Sequence, residues 1–177
     1  IPIDASTEID AQRALRESEE RLRLIQAAGG IGGFDYDLQA DDAVCTPEYY
    51  ALFGLPDGSP INRETWPMHI HPADRASAME ALDKSIERHR PFDYHYRIIR
   101  ADTGEIRWLQ GRATVILDDE GKPWRYIGGN IDVTDRVRAE ARVRESEHQL
   151  RLMADALPML VSYVDSDERY QLANKTY

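Results

Sequence analysis

The side chains best suited to chemistry are few and scattered. His69 and His71 lie close together, and two imidazoles so placed could share a metal ion. A metal or haem site needs further ligands, and no cysteine or tight His/Asp cluster accompanies this pair. His71-Pro72 reads better as the lead into a helix, because proline suits a first helical position. Cys45 is the only cysteine, which excludes an internal disulfide and a cysteine-based zinc site. The expectation for Cys45 is a small core or semi-buried residue. Asp118-Asp119-Glu120-Gly121 gathers acidic groups but lacks the long loop and terminal glutamate of a calcium site, and it reads as a polar hairpin turn. Gly128-Gly129-Asn130-Ile131-Asp132 reads as a strand in which two glycines permit close packing. No Walker loop, nucleophile elbow or kinase signature is present. The expectation is therefore no catalytic residue and no metal.

Composition narrows the classes further. The 177 residues suffice for one ordinary domain with flanking helices, and 42% of them are hydrophobic, which argues for a folded core. The formal net charge of -10 repels phosphate backbones, so nucleic acid is an unsuitable partner. No apolar run is long enough to cross a bilayer and no signal peptide is visible, so a cytoplasmic setting is expected.

An internal repeat organises the chain. Arg16-Glu17-Ser18-Glu19 recurs as Arg144-Glu145-Ser146-Glu147, and Leu22-Arg23-Leu24 recurs as Leu150-Arg151-Leu152. The offset is too long for a solenoid, so it suggests tandem domains, each introduced by a helix. Ala11, Leu15, Ser18, Leu22 and Ile25 form an a/d heptad stripe, and Ala139, Val143, Ser146, Leu150 and Met153 repeat it in phase. Such a stripe can be a coiled-coil seam between two chains, with Leu15, Leu22, Ile25, Val143, Leu150 and Met153 at its centre, or an amphipathic face lying on its own domain. The two are compatible.

Between the helices the pattern changes. Gly29-Gly30 ends the first helix. Phe34, Tyr36 and Leu38 alternate with acidic residues as a half-buried strand, and Ala43-Val44-Cys45 supplies its hairpin partner. Thr46-Pro47-Glu48 starts a short helix that the threonine can cap, ending at Phe53-Gly54. A Pro/Gly loop follows, then a short segment with Trp66 and Met68, then a longer helix opened by Pro72 with Ala78, Met79, Leu82 and Ile86 on one face. Three long strands come next: Phe92, Tyr94, Tyr96 and Ile98 alternate in the first, Ile106 to Leu117 form the second with Trp108, and Pro123 to Val133 form the third with Trp124. Short turns make them antiparallel hairpins. The expected class is α+β: a five-stranded antiparallel sheet with short helices on one face, flanked by N- and C-terminal amphipathic helices.

Several segments in collinear order carry a resemblance. They are Cys45-Thr46-Pro47-Glu48-Tyr49-Tyr50 with Phe53-Gly54, His71-Pro72-Ala73-Asp74-Arg75, Tyr96-Arg97-Ile98, Gly104-Glu105-Ile106-Arg107-Trp108, Asp118 to Gly121, Gly128, and Asp132-Val133-Thr134-Asp135-Arg136. Over roughly residues 20 to 140 the chain resembles the PAS fold, specifically the PAS_3-like subgroup with its C-terminal PAC half. Ser162-Tyr163-Val164-Asp165 and Tyr170-Gln171-Leu172-Ala173-Asn174 look like the first strands of a second such domain, cut short at Tyr177. The expected organisation is a helix over 1–27, a PAS/PAC domain over 28–134, a linker helix over 135–156 and a truncated second PAS domain over 157–177. The apolar run Leu157-Pro158-Met159-Leu160-Val161 could adhere to a neighbouring chain.

The resemblance implies a sensory or dimerisation module upstream of a histidine kinase or diguanylate cyclase output domain. It implies that Trp108, Asp132, Val133, Thr134 and Asp135 relay a conformational signal into the following helix, whose start Asp132 and Thr134 can cap. It also implies a pocket for a small molecule, with Tyr36, Tyr50, Phe53, Met79, Tyr94 and Tyr96 as candidate lining; filling of a plain core is the alternative. The cofactor stays unknown. Haem-binding relatives use a histidine inside the longer helix, and none lies between Ala73 and Ile86; flavin-binding relatives carry an Asn-Cys-Arg motif that is absent. The family also places glutamate before the Tyr-Arg pair, where this chain has His95. The readings left open are a ligand sensor that homodimerises and drives an output domain, and a ligand-free dimerising spacer. A small enzyme would need an acid–base or nucleophile set that the sequence lacks.

Overall fold

The computed structural model describes residues 5–157, 162–167 and 169–174. Residues rich in Ala, Leu, Glu and Arg favour helix, and they form α1 (Ala5–Ala28). Gly30 takes a left-handed φ of 60°, and the Ile31 N–H reaches back to the Gln26 carbonyl, which turns the chain out of the helix. β1 (Gly32–Asp37) and β2 (Asp42–Cys45) follow as a hairpin. Then come α2 (Pro47–Phe53), α3 (Trp66–His69) and α4 (Pro72–Glu87), and the strands β3 (Phe92–Ile99), β4 (Ile106–Leu117) and β5 (Pro123–Asp132).

The five strands form one antiparallel sheet in the order β2-β1-β5-β4-β3. The alternating residues of β3 divide by face: Phe92, Tyr96 and Ile98 are buried, while Asp93 and His95 are exposed. Tyr49, Tyr50 and Phe53 from α2 and Ala78 from α4 join Tyr96, Ile98 and Leu109 in the main core. A second cluster, Leu82, Phe92, Ala113 and Tyr126, fills the other end of the same face. The architecture is the expected α+β sheet with helices on one face.

One local expectation fails. Thr46 precedes α2 but its side chain makes no cap. Its hydroxyl accepts the Gly33 N–H at 3.1 Å and so ties β1 to the chain entering α2. A hydroxyl can satisfy a strand amide as well as a helix amide, and the nearer donor wins. At α4 the cap comes from His71, whose Nδ1 accepts the Ala73 N–H at 3.3 Å.

The chain divides into two compact units, Ile1–Thr134 and Asp135–Tyr177. In the second, α5 (Thr134–Ala156) is followed by a small hairpin of β6 (Ser162–Val164) and β7 (Tyr170–Ala173). There the buried Asn174 amide donates to the Ala154 carbonyl at 2.7 Å. Of the apolar run after α5, residues 158–161 lie outside the described residues. No helix among the described residues is long and apolar enough to cross a membrane.

Candidate functional site: an aromatic cavity and the β5–α5 junction

Two places in the first unit gather the candidate residues. The first is a cavity of about 60 Å³ between the sheet and the helices. Tyr36 and Tyr96 line it, as do Phe34, Trp66, Phe92 and Tyr126. The other four candidates stand elsewhere. Tyr50 and Phe53 are buried within the α2 part of the core, Tyr94 packs against both core clusters from a half-buried position, and Met79 is half-buried on α4. Their faces matched the pattern, but the helix register and the strand's position in the sheet aim them past the space.

Asn130 also lines the cavity and is 2% exposed. Its Oδ1 accepts the Tyr96 hydroxyl at 2.7 Å. Gly111 stands opposite it across the β4–β5 pair, and a Cβ there would come within 2.8 Å of that oxygen. The glycine therefore makes room for the amide. The spacing Tyr126, Gly128, Asn130 places all three on one face of β5, and that alternation was the available signal for the last of them. Burial raises the Tyr96 phenol well above its ordinary value and pushes the Tyr126 phenol up to about 12 against the hydrogen bond to Ser85. Both stay neutral. On the solvent side, the Tyr36 hydroxyl donates to Asp41 at 2.6 Å, the Arg63 N–H donates to the same carboxylate at 3.0 Å, and the Arg63 guanidinium pairs with Asp83.

The second place is the junction between β5 and α5. The Val133 N–H donates to the Trp108 carbonyl at 2.8 Å, and the Trp108 N–H donates to the Thr134 hydroxyl at 2.9 Å. Asp132 Oδ1 accepts the Thr134 N–H at 2.8 Å, while Oδ2 accepts from the Arg107 guanidinium at 2.8 Å. Thus Asp132 caps the helix start, but Thr134 does not: its hydroxyl clips the helix start to β4. Val133 and Thr134 are buried and Asp135 is exposed in the first turn of α5, where an acid suits the helix dipole. Burial would raise the Asp132 carboxyl, but the hydrogen bonds from Thr134 and Arg107 outweigh it and hold the carboxyl below the ordinary range.

This clip continues across the sheet. Arg97 stands beside Trp108 in the β3–β4 register, and its guanidinium lies 5.3 Å from the centre of the indole. The same guanidinium binds Asp74 in the first turn of α4, at 2.9 Å through Nε and 2.5 Å through Nη2, and the Arg97 N–H adds a third bond at 2.9 Å. The Arg97 bonds hold the Asp74 carboxyl below its ordinary range. In this chain, where His95 stands at the family's glutamate position, the arginine of the Tyr-Arg pair is held by Asp74, a residue on another element.

The remaining candidates have ordinary surroundings. Burial pushes the Cys45 thiol up to about 12, which leaves it a poor nucleophile. His69 packs edge-on to Phe53, and burial lowers its pKa. Among the described residues no group of three or more His, Cys, Asp or Glu is placed to hold a metal. The seam residues Leu15, Leu22 and Ile25 on α1, and Val143, Leu150 and Met153 on α5, are each more than half exposed.

Comparison with known proteins agrees with this geometry. The PAS_3 family, a PAS fold, matches residues 43–130. Among solved structures, a sensory box histidine kinase/response regulator from Burkholderia thailandensis E264 is similar at 31% identity with a TM-score of 0.62, covering 74% of this chain and 98% of that one. The chain belongs to the PAS family. Among curated relatives, "Probable diguanylate cyclase DgcE" of Escherichia coli K12 is 26% identical over 82% of this chain, and the "Blue-light-activated histidine kinase" of Brucella anthropi is 29% identical over 77%. The chain spans 13% and 28% of the lengths of those two relatives. A PAS domain is a sensory module and is not itself catalytic; its relatives here are sensor domains of histidine kinases and diguanylate cyclases.

Proposed function

We propose that the chain is the cytoplasmic sensory part of a multidomain signalling protein with a histidine kinase or diguanylate cyclase output domain. It homodimerises through α1 and α5 and relays a change in the sheet through Trp108, Asp132, Val133, Thr134 and Asp135 into α5. The observation that carries this reading is the clip at Trp108. One residue of β4 uses both its backbone groups on the two residues that start the helix. A shift of β4 relative to β5 must then break those bonds or move the helix start with it. The exposed heptad stripes support the dimer, since apolar residues at a and d positions seek a partner helix.

Native mass spectrometry of this chain tests the dimer. A dimer at micromolar concentration that Leu22→Asp with Leu150→Asp converts to monomer is the expected result; a monomeric wild type overturns the seam. In the parent protein, Thr134→Val is expected to change the output activity several-fold without loss of expression. Unchanged output overturns the relay. A second reading, a dimerising spacer that takes no ligand, is favoured by the cavity's size: about 60 Å³ is well below the ~300 Å³ at which drug-sized sites begin.

A further inference from the structure

The apolar stripe of α5 is not covered by its own unit. Val143, Leu150 and Met153 are each more than half exposed, whereas Ala154, the next residue round the helix, is buried and its carbonyl accepts from the Asn174 amide. The residue that follows β7 therefore occupies the Ala154 side of α5 and leaves the stripe open. With Val143 and Leu150 at a and Ser146 and Met153 at d, the flanking g positions hold Asp135, Arg142 and Gln149, and the flanking e positions hold Glu140, Glu147 and Ala154. Charges at e and g choose the partner of such a seam and its direction. We infer that α5 lies parallel to α5 of a second copy over residues 142–153, joined by reciprocal Arg142–Glu147 ion pairs, while Asp135 and Glu140 hold the starts of the two helices apart.

The charges select this arrangement. In parallel helices a g residue meets the e residue of the next heptad on the partner, so Arg142 meets Glu147 of the second copy, and the two-fold symmetry of a homodimer makes the pair twice. Both side chains are exposed and able to reach across. Antiparallel helices would set e against e, and both charged e residues are glutamates. The first heptad differs. It offers Arg136 at a and Ala139 at d, and its g and e residues, Asp135 and Glu140, meet as like charges. Little apolar surface is gained there to offset the repulsion. In the same alignment α1 sets Ala14 against Glu19 and Arg21 against Gln26, so it adds apolar contact without a preferred direction. The open start of α5 is the part tied to Trp108 of β4. It can follow the strand while the joined part of the helix stays in register.

The inference rests on the dimer reading and adds its direction and the place where it opens. Sedimentation equilibrium of the intact chain at low salt reads the dimer dissociation constant. Arg142→Glu is expected to weaken the dimer at least threefold, and Arg142→Glu with Glu147→Arg to return it to within twofold of the wild type. Unchanged affinity in Arg142→Glu, with a dimeric wild type, overturns the parallel seam and leaves the dimer reading standing. A double variant no tighter than the single one overturns the pairing of these two residues. A loss that persists in about 1 M salt overturns the ion pair, because such salt screens exposed charges. Glu140→Arg places a cation beside Asp135 of the second copy and is expected to tighten the dimer at least twofold; an unchanged or weaker dimer overturns the open start. A monomeric wild type overturns the dimer and this inference with it. None of these outcomes bears on the relay, whose test reads the output activity of the Thr134 variant.

Discussion

Thr134 begins α5, yet its hydroxyl accepts the backbone N–H of Trp108, a residue on β4 26 positions earlier in the chain, at 2.9 Å. The bond replaces a helix cap with a link between strand and helix. The Trp108 carbonyl then takes the N–H of Val133, so Val133 and Thr134, where the chain passes from β5 into α5, are each tied to β4 by one bond. The indole of the same residue carries Arg97, and Arg97 holds Asp74 at the start of α4. Trp108 thus links β4, through Arg97, to β3 and α4, and through its own backbone to Val133 and Thr134.

Removing the hydroxyl tests this link. Thr134→Val keeps the shape but leaves the Trp108 N–H without its acceptor, so it is expected to cost about 1 kcal/mol. Thr134→Ser keeps the bond and is expected to cost less. Hydrogen exchange localises the effect: the Trp108 and Val133 amides are expected to exchange faster in the valine variant, while Tyr96 in the middle of β3 is unchanged. Uniform acceleration across the sheet would mean that the bond acts only on global stability.

Low pH should weaken the same network. The Asp74 and Asp132 carboxyls are held below the ordinary range in the folded chain by Arg97 and by Thr134 and Arg107 respectively. Their contribution is complete above the unfolded value of about 3.9 and is lost as pH falls through the folded values. Urea midpoints are therefore expected to fall below about pH 4. Asp74→Asn is expected to start lower at pH 7 and to fall less steeply in acid. An acid limb with the wild-type slope in that variant would remove Asp74 from the account.

Close packing of β4 on β5 leaves no room at Gly128. A Cβ there would lie 2.2 Å from the Arg112 carbonyl oxygen and 2.5 Å from the Ala113 Cβ. Both are fixed by the sheet, so relief requires a backbone shift. Gly128→Ala is expected to cost about 3 kcal/mol, seen as a lower thermal midpoint. At Gly121, a Cβ would meet nothing within 4 Å and only the left-handed φ of 79° is at stake. Gly121→Ala is expected to cost about 1 kcal/mol.

Much of the fold was legible because its cause is local. The alternation of Phe92, Tyr94, Tyr96 and Ile98 marks a strand with one buried face, and Pro47 and Pro72 open helices wherever they stand. The candidate site was less legible. Tyr36 and Tyr96 line the cavity, but Phe34, Trp66, Tyr126 and Asn130 were not anticipated, and Tyr50, Phe53, Met79 and Tyr94 lie outside the lining. Side-chain type reveals which residues avoid water; which of them border an unfilled space depends on how helices seat on the sheet.

By itself, the sequence determined the kinds and order of the elements, the turns between neighbouring strands, the heptad stripes of α1 and α5, and the family resemblance. The first three follow from periodicity and from residues acting on their own neighbourhood; the resemblance rests on short motifs in collinear order. Tertiary structure alone decided that β1 pairs with β5, that Arg97 meets Asp74, that the Thr46 and Thr134 hydroxyls serve strands, and that Asn130 takes the Tyr96 hydroxyl. Each joins groups far apart in the chain. Such groups choose partners only after the sheet register sets which donors and acceptors come within about 3 Å of one another.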